Sequence, residues 1–170
     1  RILGEAVPGI TAIYRANENA LLDAVTKRGR ERTGHTLRKQ QTREIVRTLR
    51  AGKMIWYAPD QHHRGAQCAQ VPFFGRPAAT SLATPRLAEL GRAAVVPYQP
   101  RRLPNGQGYE VRLLPALEDF PSADAVRDLE RINKILEGWI REQPEQYLWI
   151  HRRFKPAHPD MPDPYAAPGA

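Results

Sequence analysis

Apolar positions along this chain recur with two periods, and the switches between them mark out its elements. Residues 9–14, Gly-Ile-Thr-Ala-Ile-Tyr, are short and β-branched and predict a strand that ends at Arg15. A helix is predicted over residues 19–28, with Leu21, Leu22 and Val25 turned inward and Gly29 near its end. The pattern over residues 36–50 predicts a second amphipathic helix, its buried stripe formed by Ile45, Val46 and Leu49. Lys39, Arg43, Arg47 and Arg50 then fall on one face, either as a solvated surface or as a landing site for anionic lipid or an acidic protein.

Lys53 to Ala58, closed by Pro59, reads as a buried central strand, and a polar loop is expected from Asp60 to Pro77. Residues 81–90 predict a helix stopped by Gly91, and residues 93–96 another buried strand. Asn105-Gly106 is a strong turn signal between alternating residues, so 95–115 predicts an antiparallel hairpin. The last long helix is expected from Ser122 as N-cap, with Leu129, Ile132, Leu136, Trp139 and Ile140 inward, a Glu137–Arg141 pair and a stop at Pro144. The fold class that follows is α/β, a mixed and mostly parallel sheet flanked by helices.

A length of 170 residues with 41% apolar and 26% charged residues suits one globular domain. Residues 1–155 are assigned to it, and the proline-rich residues 156–170 to an extended or poorly ordered tail. No leader or membrane span is readable, and the chain is expected to be the C-terminal piece of a longer protein, incomplete at its N-terminus. The single Cys68 excludes an internal disulfide. A net charge of +8 draws polyanions, which keeps open a non-catalytic basic domain that binds membrane or nucleic acid. Nucleic acid is not expected as a partner, because no zinc-finger or Gly-rich RNA-binding signature accompanies the charge.

Particular residue groups sharpen the picture. Tyr14-Arg15 with Asn17 and Asn19, Arg28-Gly29-Arg30, Pro59-Asp60-Gln61, residues 71–75, Ala78-Ala79-Thr80, residues 117–121, Asn133 with Glu137, and residues 144–155 run through nearly the whole chain. Together they resemble the late acyltransferases of lipid A synthesis, the lauroyl and myristoyl transferases within the lysophospholipid acyltransferase group. The resemblance implies a glycerolipid acyltransferase-like fold on the cytoplasmic face of a Gram-negative inner membrane. It implies fatty acyl transfer from acyl carrier protein to a hydroxyl of a lipid A precursor, with no cofactor. It assigns supporting catalytic roles to Arg15 and Asp60.

Both residues also follow strands, where loops of open α/β sheets gather ligands. An ordinary Arg–Asp ion pair tying two loops is the alternative. Gln61 and the Arg152-Arg153 pair are candidates for substrate contact, since a guanidinium grips phosphate bidentately; packing is the alternative for the arginines. The family's His-x4-Asp/Glu, which would supply the base, is expected before Tyr14, and residues 1–13 contain no His. The fragment is therefore expected to be inactive alone.

Other constellations are discounted. His158 and Asp163 match His-x4-Asp by spacing, but prolines crowd the match and it lies downstream of the Tyr-Arg strand. His62, His63 and Cys68 lack a fourth ligand, so no metal is expected. His151 reads as a packed or hydrogen-bonded histidine. Phe73 and Phe74 are expected to be partly exposed in a loop, where they would suit an acyl chain or a bilayer surface, whereas Trp56, Trp139 and Trp149 are expected in the core.

Overall fold

The computed structural model describes residues 2–63, 65–156, 158 and 160–166. The chain is mixed α/β and divides into two compact units, residues 1–58 with 89–93, and residues 59–88 with 94–170.

Unit 1 is built on parallel pairing. It contains α1 (Ile2–Ala6), β1 (Thr11–Tyr14), α2 (Ala20–Glu31), β2 (His35–Arg38), α3 (Thr42–Arg50) and β3 (Ile55–Trp56). The strand order is β2-β1-β3, with Thr11 opposite His35 on one side and Ile55 on the other. The central strand is therefore β1, and the segment expected as central is a two-residue edge strand. Ile10, Tyr14 and Ile45 are buried, and Val46 and Leu49 half-buried. Gly91 is required where the chain returns at the end of α4 (Ala83–Gly91), since a Cβ there would meet the Leu49 Cβ at 2.7 Å.

Two expectations in this unit change. The predicted helix over 36–50 begins only at Thr42, because residues 35–38 pair with β1 and extended Thr36 and Leu37 suit a strand. Lys39 thus lies ahead of α3, leaving Arg43, Arg47 and Arg50 on the helix, the last donating through Nε to the Leu90 carbonyl at 2.8 Å. Helix α2 starts where expected, capped by Asn19 accepting from Leu22 N–H at 3.0 Å, but it runs through Gly29 and faces the other way. Leu21, Leu22 and Val25 are 75%, 54% and 62% exposed. The half-buried positions are Asp23, Thr26 and Arg30. Asp23 accepts the Asn17 N–H at 2.9 Å and Arg30 lies over the Tyr14 ring at 5.6 Å, so specific polar contacts hold the inner face and the apolar stripe points out.

Unit 2 packs two hairpins and a long helix. Strands β4 (Cys68–Phe73) and β5 (Arg76–Ser81) are antiparallel, as are β6 (Tyr98–Arg102) and β7 (Tyr109–Leu113), and α5 covers Ala125–Glu142. Parallel and antiparallel pairings thus occupy separate small sheets. The stretch expected as a loop, 60–77, holds β4 and the start of β5, joined by Phe74 and Gly75 at φ 50° and 75°, the left-handed pair a tight hairpin requires. Phe73 is consequently buried, only 1% exposed, not the lipid-facing ring expected; Phe74 is half-buried.

The 95–115 hairpin forms, but residues 93–96 are not a strand. Pro97 and Pro115 offer no N–H to a ladder, so only isolated bonds continue it, Leu114 N–H to Pro97 and Leu117 N–H to Val95.

The period of α5 sets the core. Val71, Leu129 and Ile132 form one cluster and Phe73, Ala78 and Ile140 another, with Leu136 against both. Full burial of each such side chain contributes about 1.5–3 kcal/mol. The N-cap is Asp124, whose side chain takes the N–H groups of Val126 and Arg127, both at 3.0 Å. Ser122, the expected cap, donates its N–H at 2.7 Å to fully buried Asp128. The Glu137–Arg141 pair forms at 3.1 Å and the helix ends before Pro144.

The end of the described chain folds back on this unit. Phe154 N–H donates to the Tyr165 hydroxyl at 3.1 Å. Of the expected tail, residues 157, 159 and 167–170 lie outside the described residues.

Candidate functional site

Arg15 leaves the end of β1, and its guanidinium meets Glu18 at 3.6 Å with both side chains largely exposed. An ion pair so open to water holds the arginine weakly. The residue before it is fixed firmly. Tyr14 is 6% exposed, with Arg30 over its ring, and its hydroxyl bonds the Arg38 side chain, which raises the Arg38 pKa. Because β1 and β3 are parallel neighbours, their carboxyl ends open on the same edge of the unit 1 sheet.

Asp60, half-buried, and Gln61, exposed, belong to unit 2 and open a segment pinned at two points. His62 N–H donates to His151 Nε2 at 2.8 Å, so that ring nitrogen carries no proton. His63 N–H donates to the Ala79 carbonyl at 3.3 Å. That carbonyl is free because the Gln67–Leu82 bond sets the hairpin register, turning Thr80 and Ala78 toward β4 and Ala79 away from it.

The same carbonyl receives Arg153 Nη1 at 2.8 Å, while Nη2 donates to Thr80 Oγ1 at 2.7 Å. Arg153 is 2% exposed and lies over the Phe73 ring at 5.3 Å. Burial lowers its pKa, and the neighbouring Tyr147 and Asp60 oppose that fall. Burial also pushes the Tyr147 hydroxyl up to about 12, reinforced by the Asp60 carboxylate. Asp60, Tyr147 and Arg153 therefore form one electrostatic group. Arg152 is different: its side chain is exposed and its guanidinium lies over the Tyr165 ring at 5.6 Å.

Asn133 and Glu137, read only as parts of a pattern, turn out to brace the β4–β5 turn. Asn133 Nδ2 donates to the Pro72 carbonyl at 2.9 Å, and Glu137 Oε1 accepts the Phe74 N–H at 2.7 Å. One turn of α5 thus latches the β4–β5 turn beside Phe73. Arg131 does the same for the loop before α5, donating to the Glu118 and Asp119 carbonyls at 2.6 and 3.3 Å. Tyr147 was missed at the sequence level. Its signal is its position between Pro144 and Arg153; the ring over the buried guanidinium is Phe73, with the Tyr147 ring 6.2 Å from Phe73.

Among the described residues, no group of three or more His, Cys, Asp and Glu could hold a metal ion, and the Cys68 thiol donates to the Gly65 carbonyl at 2.9 Å. No helix among them is long and apolar enough to cross a membrane. His158 and Asp163 are both exposed.

Comparison with known proteins assigns the chain to a family. The profile of the bacterial lipid A biosynthesis acyltransferases matches residues 1–156. The lipid A biosynthesis lauroyltransferase of Escherichia coli (strain K12) is 37% identical over 167 residues, 97% of this chain and 54% of that protein. The palmitoleoyltransferase of the same organism is 36% identical over 157 residues, 91% of this chain and 51% of its own length. Its myristoyltransferase is 30% identical over 158 residues, 92% and 49%. The chain spans about half the length of the relatives it matches. It belongs to the bacterial lipid A biosynthesis acyltransferase family.

Proposed function

We propose that this chain is the part of a lipid A acyltransferase that binds and orients substrate while a fatty acyl group passes from acyl carrier protein to a hydroxyl of the lipid A precursor. The observation that carries the reading is the family match over residues 1–156, which takes in both the Tyr14-Arg15 and the Asp60-Gln61 segments.

In the transfer, the acceptor oxygen attacks the thioester carbonyl, its proton passes to a base, and the carrier's sulfur leaves as a thiolate that takes up a proton. A hydroxyl is a poor nucleophile near neutral pH, so that base must be a residue such as histidine held by a carboxylate. We assign it to a part of the enzyme outside this chain, and the chain alone is expected to be inactive.

The roles proposed here are charge and positioning. Arg15, paired among the described residues with the exposed Glu18 carboxylate, can exchange it for a phosphate of the acceptor or of the carrier's phosphopantetheine. Arg152 and Gln61, both exposed, are proposed as further substrate contacts. Arg153 serves from beneath, binding through the protein contacts that fix the Asp60 segment. Asp60 is proposed to act in the transfer itself. Donor and acceptor both meet the enzyme at the cytoplasmic face of the inner membrane, which suits a chain of net charge +8.

The test is acyl transfer by the full-length enzyme from acyl carrier protein to a lipid A precursor. Arg15→Ala and Asp60→Asn should each lower kcat/KM while folded yield holds.

A further inference from the structure

In unit 2, the turn carrying Leu148, Trp149 and Ile150 presents three consecutive apolar side chains to solvent, 60%, 56% and 87% exposed. Single exposed apolar residues are ordinary, but three in a row are not. Nor is the turn loose. On its N-terminal side, Gln146 gives Oε1 to the Arg102 N–H at 2.8 Å and Nε2 to the Arg102 carbonyl at 3.0 Å, as a neighbouring strand would. On its C-terminal side, His151 is held by His62, and Arg153 by Ala79 and Thr80. Between these anchors Trp149 Nε1 donates to the Pro144 carbonyl at 2.6 Å, and its ring stands edge-on to Tyr147 at 4.9 Å. The indole N–H is satisfied internally while much of the ring faces out.

The surroundings say what would cover such a turn. Residues 144–155 hold one carboxylate, Glu145, against exposed Arg152 and half-buried Lys155, Arg153 being buried. Arg152 stays exposed just after the apolar triplet. A tryptophan between aliphatic side chains, followed by cations, matches the layering of a bilayer surface: hydrocarbon, then the interface where indole rings collect, then anionic head groups.

We infer that Leu148, Trp149 and Ile150 form a prebuilt wedge that enters an anionic bilayer, with Arg152 at head-group level. The inference rests on the acyltransferase reading and extends it, by naming the element that brings the enzyme to its membrane-borne acceptor. It replaces Phe73, which is buried, as the apolar contact with lipid.

The experiment uses the full-length enzyme in vesicles of phosphatidylethanolamine with about one quarter phosphatidylglycerol, an anionic surface. In a background lacking other cysteines, an environment-sensitive fluorophore is attached through Ile150→Cys and, as a control, through Gln107→Cys, an exposed position in the turn between β6 and β7. The probe at 150 should move to the blue on adding vesicles, and bromine-labelled acyl chains should quench it about threefold more than the control. A probe at 150 that stays unquenched, or is already blue-shifted before lipid is added because protein covers it, overturns the inference.

As a second arm, Leu148→Ser combined with Ile150→Ser should raise KM for acceptor presented in vesicles about tenfold, while kcat and turnover of detergent-dispersed acceptor stay near the parent's. Equal KM for parent and variant in vesicles also overturns it. Turnover on vesicles with position 150 in water leaves the proposed function standing; an unmodified full-length enzyme that transfers no acyl group in either presentation removes that function instead.

Discussion

The guanidinium of Arg153 donates to the Ala79 carbonyl at 2.8 Å, and the same oxygen takes the His63 N–H at 3.3 Å. A single backbone oxygen on the outer edge of β5 thereby ties the His151-Arg152-Arg153 block to the segment that carries Asp60 and Gln61.

That junction should be costly to break. Arg153→Ala leaves the Thr80 hydroxyl and Ala79 carbonyl without their charged donor and opens space above Phe73, so unfolding in urea should show a loss of about 3 kcal/mol. Arg153→Lys should recover only part of it, because one ammonium cannot reproduce two fixed N–H donors.

The latch from α5 gives a smaller, sharper contrast. Asn133→Ala removes the donor to the buried-side Pro72 carbonyl and should cost about 1–3 kcal/mol. Asn133→Asp should be no better, since a carboxylate offers that carbonyl no hydrogen. The same urea titration measures both.

Tyr147 makes stability depend on alkaline pH. Its pKa rises from 10.0 to about 12 in the folded chain, so the folded state holds the phenolic proton more tightly than the unfolded one. The stabilisation is whole below pH 10 and is lost as pH climbs toward about 12. Tyr147→Phe should remove that component. A thermal melting series between these limits should therefore fall less steeply for the variant than for the parent.

On α2 the structure and the periodicity disagree in a way that a stability measurement resolves. Leu21→Gln with Val25→Gln should change unfolding free energy by no more than about 0.5 kcal/mol, because both side chains already face water. Asn19→Ala, which removes the cap, should cost about 1 kcal/mol.

Helix α2 also shows where sequence reasoning runs out. Its cap, start and helical character were legible, because capping and periodicity are local. Its facing was not, because Asp23 and Arg30 claim the inner side through Asn17 and Tyr14, partners supplied by tertiary packing. The stripe of α5 reads correctly: Leu129, Ile132 and Ile140 keep the inner face and share it with buried Asp128 and Asn133. Strand β2 is ambiguous in the sequence because Thr36 and Leu37 fit either period until β1 pairs with them. The β4–β5 hairpin was hidden by prolines and small residues that usually mark loops, although its Phe74-Gly75 turn was in plain view.

Among the candidate residues, Arg15 and Asp60 could each be singled out from a position after a strand and from family resemblance. The burial of Arg153 could not, as two adjacent arginines look alike until one finds Thr80 and the other Tyr165. Trp149, expected in the core, is 56% exposed, its N–H satisfied by the Pro144 carbonyl at the edge of its own turn.

The most direct test of the account is steady-state acyl transfer by the full-length enzyme carrying Arg15→Ala or Asp60→Asn, measured beside the yield and melting temperature of each variant. The account requires kcat/KM to fall by about a hundredfold or more in each, with folding close to that of the parent. Turnover near the parent's level in either variant would contradict it and remove the role proposed for that residue.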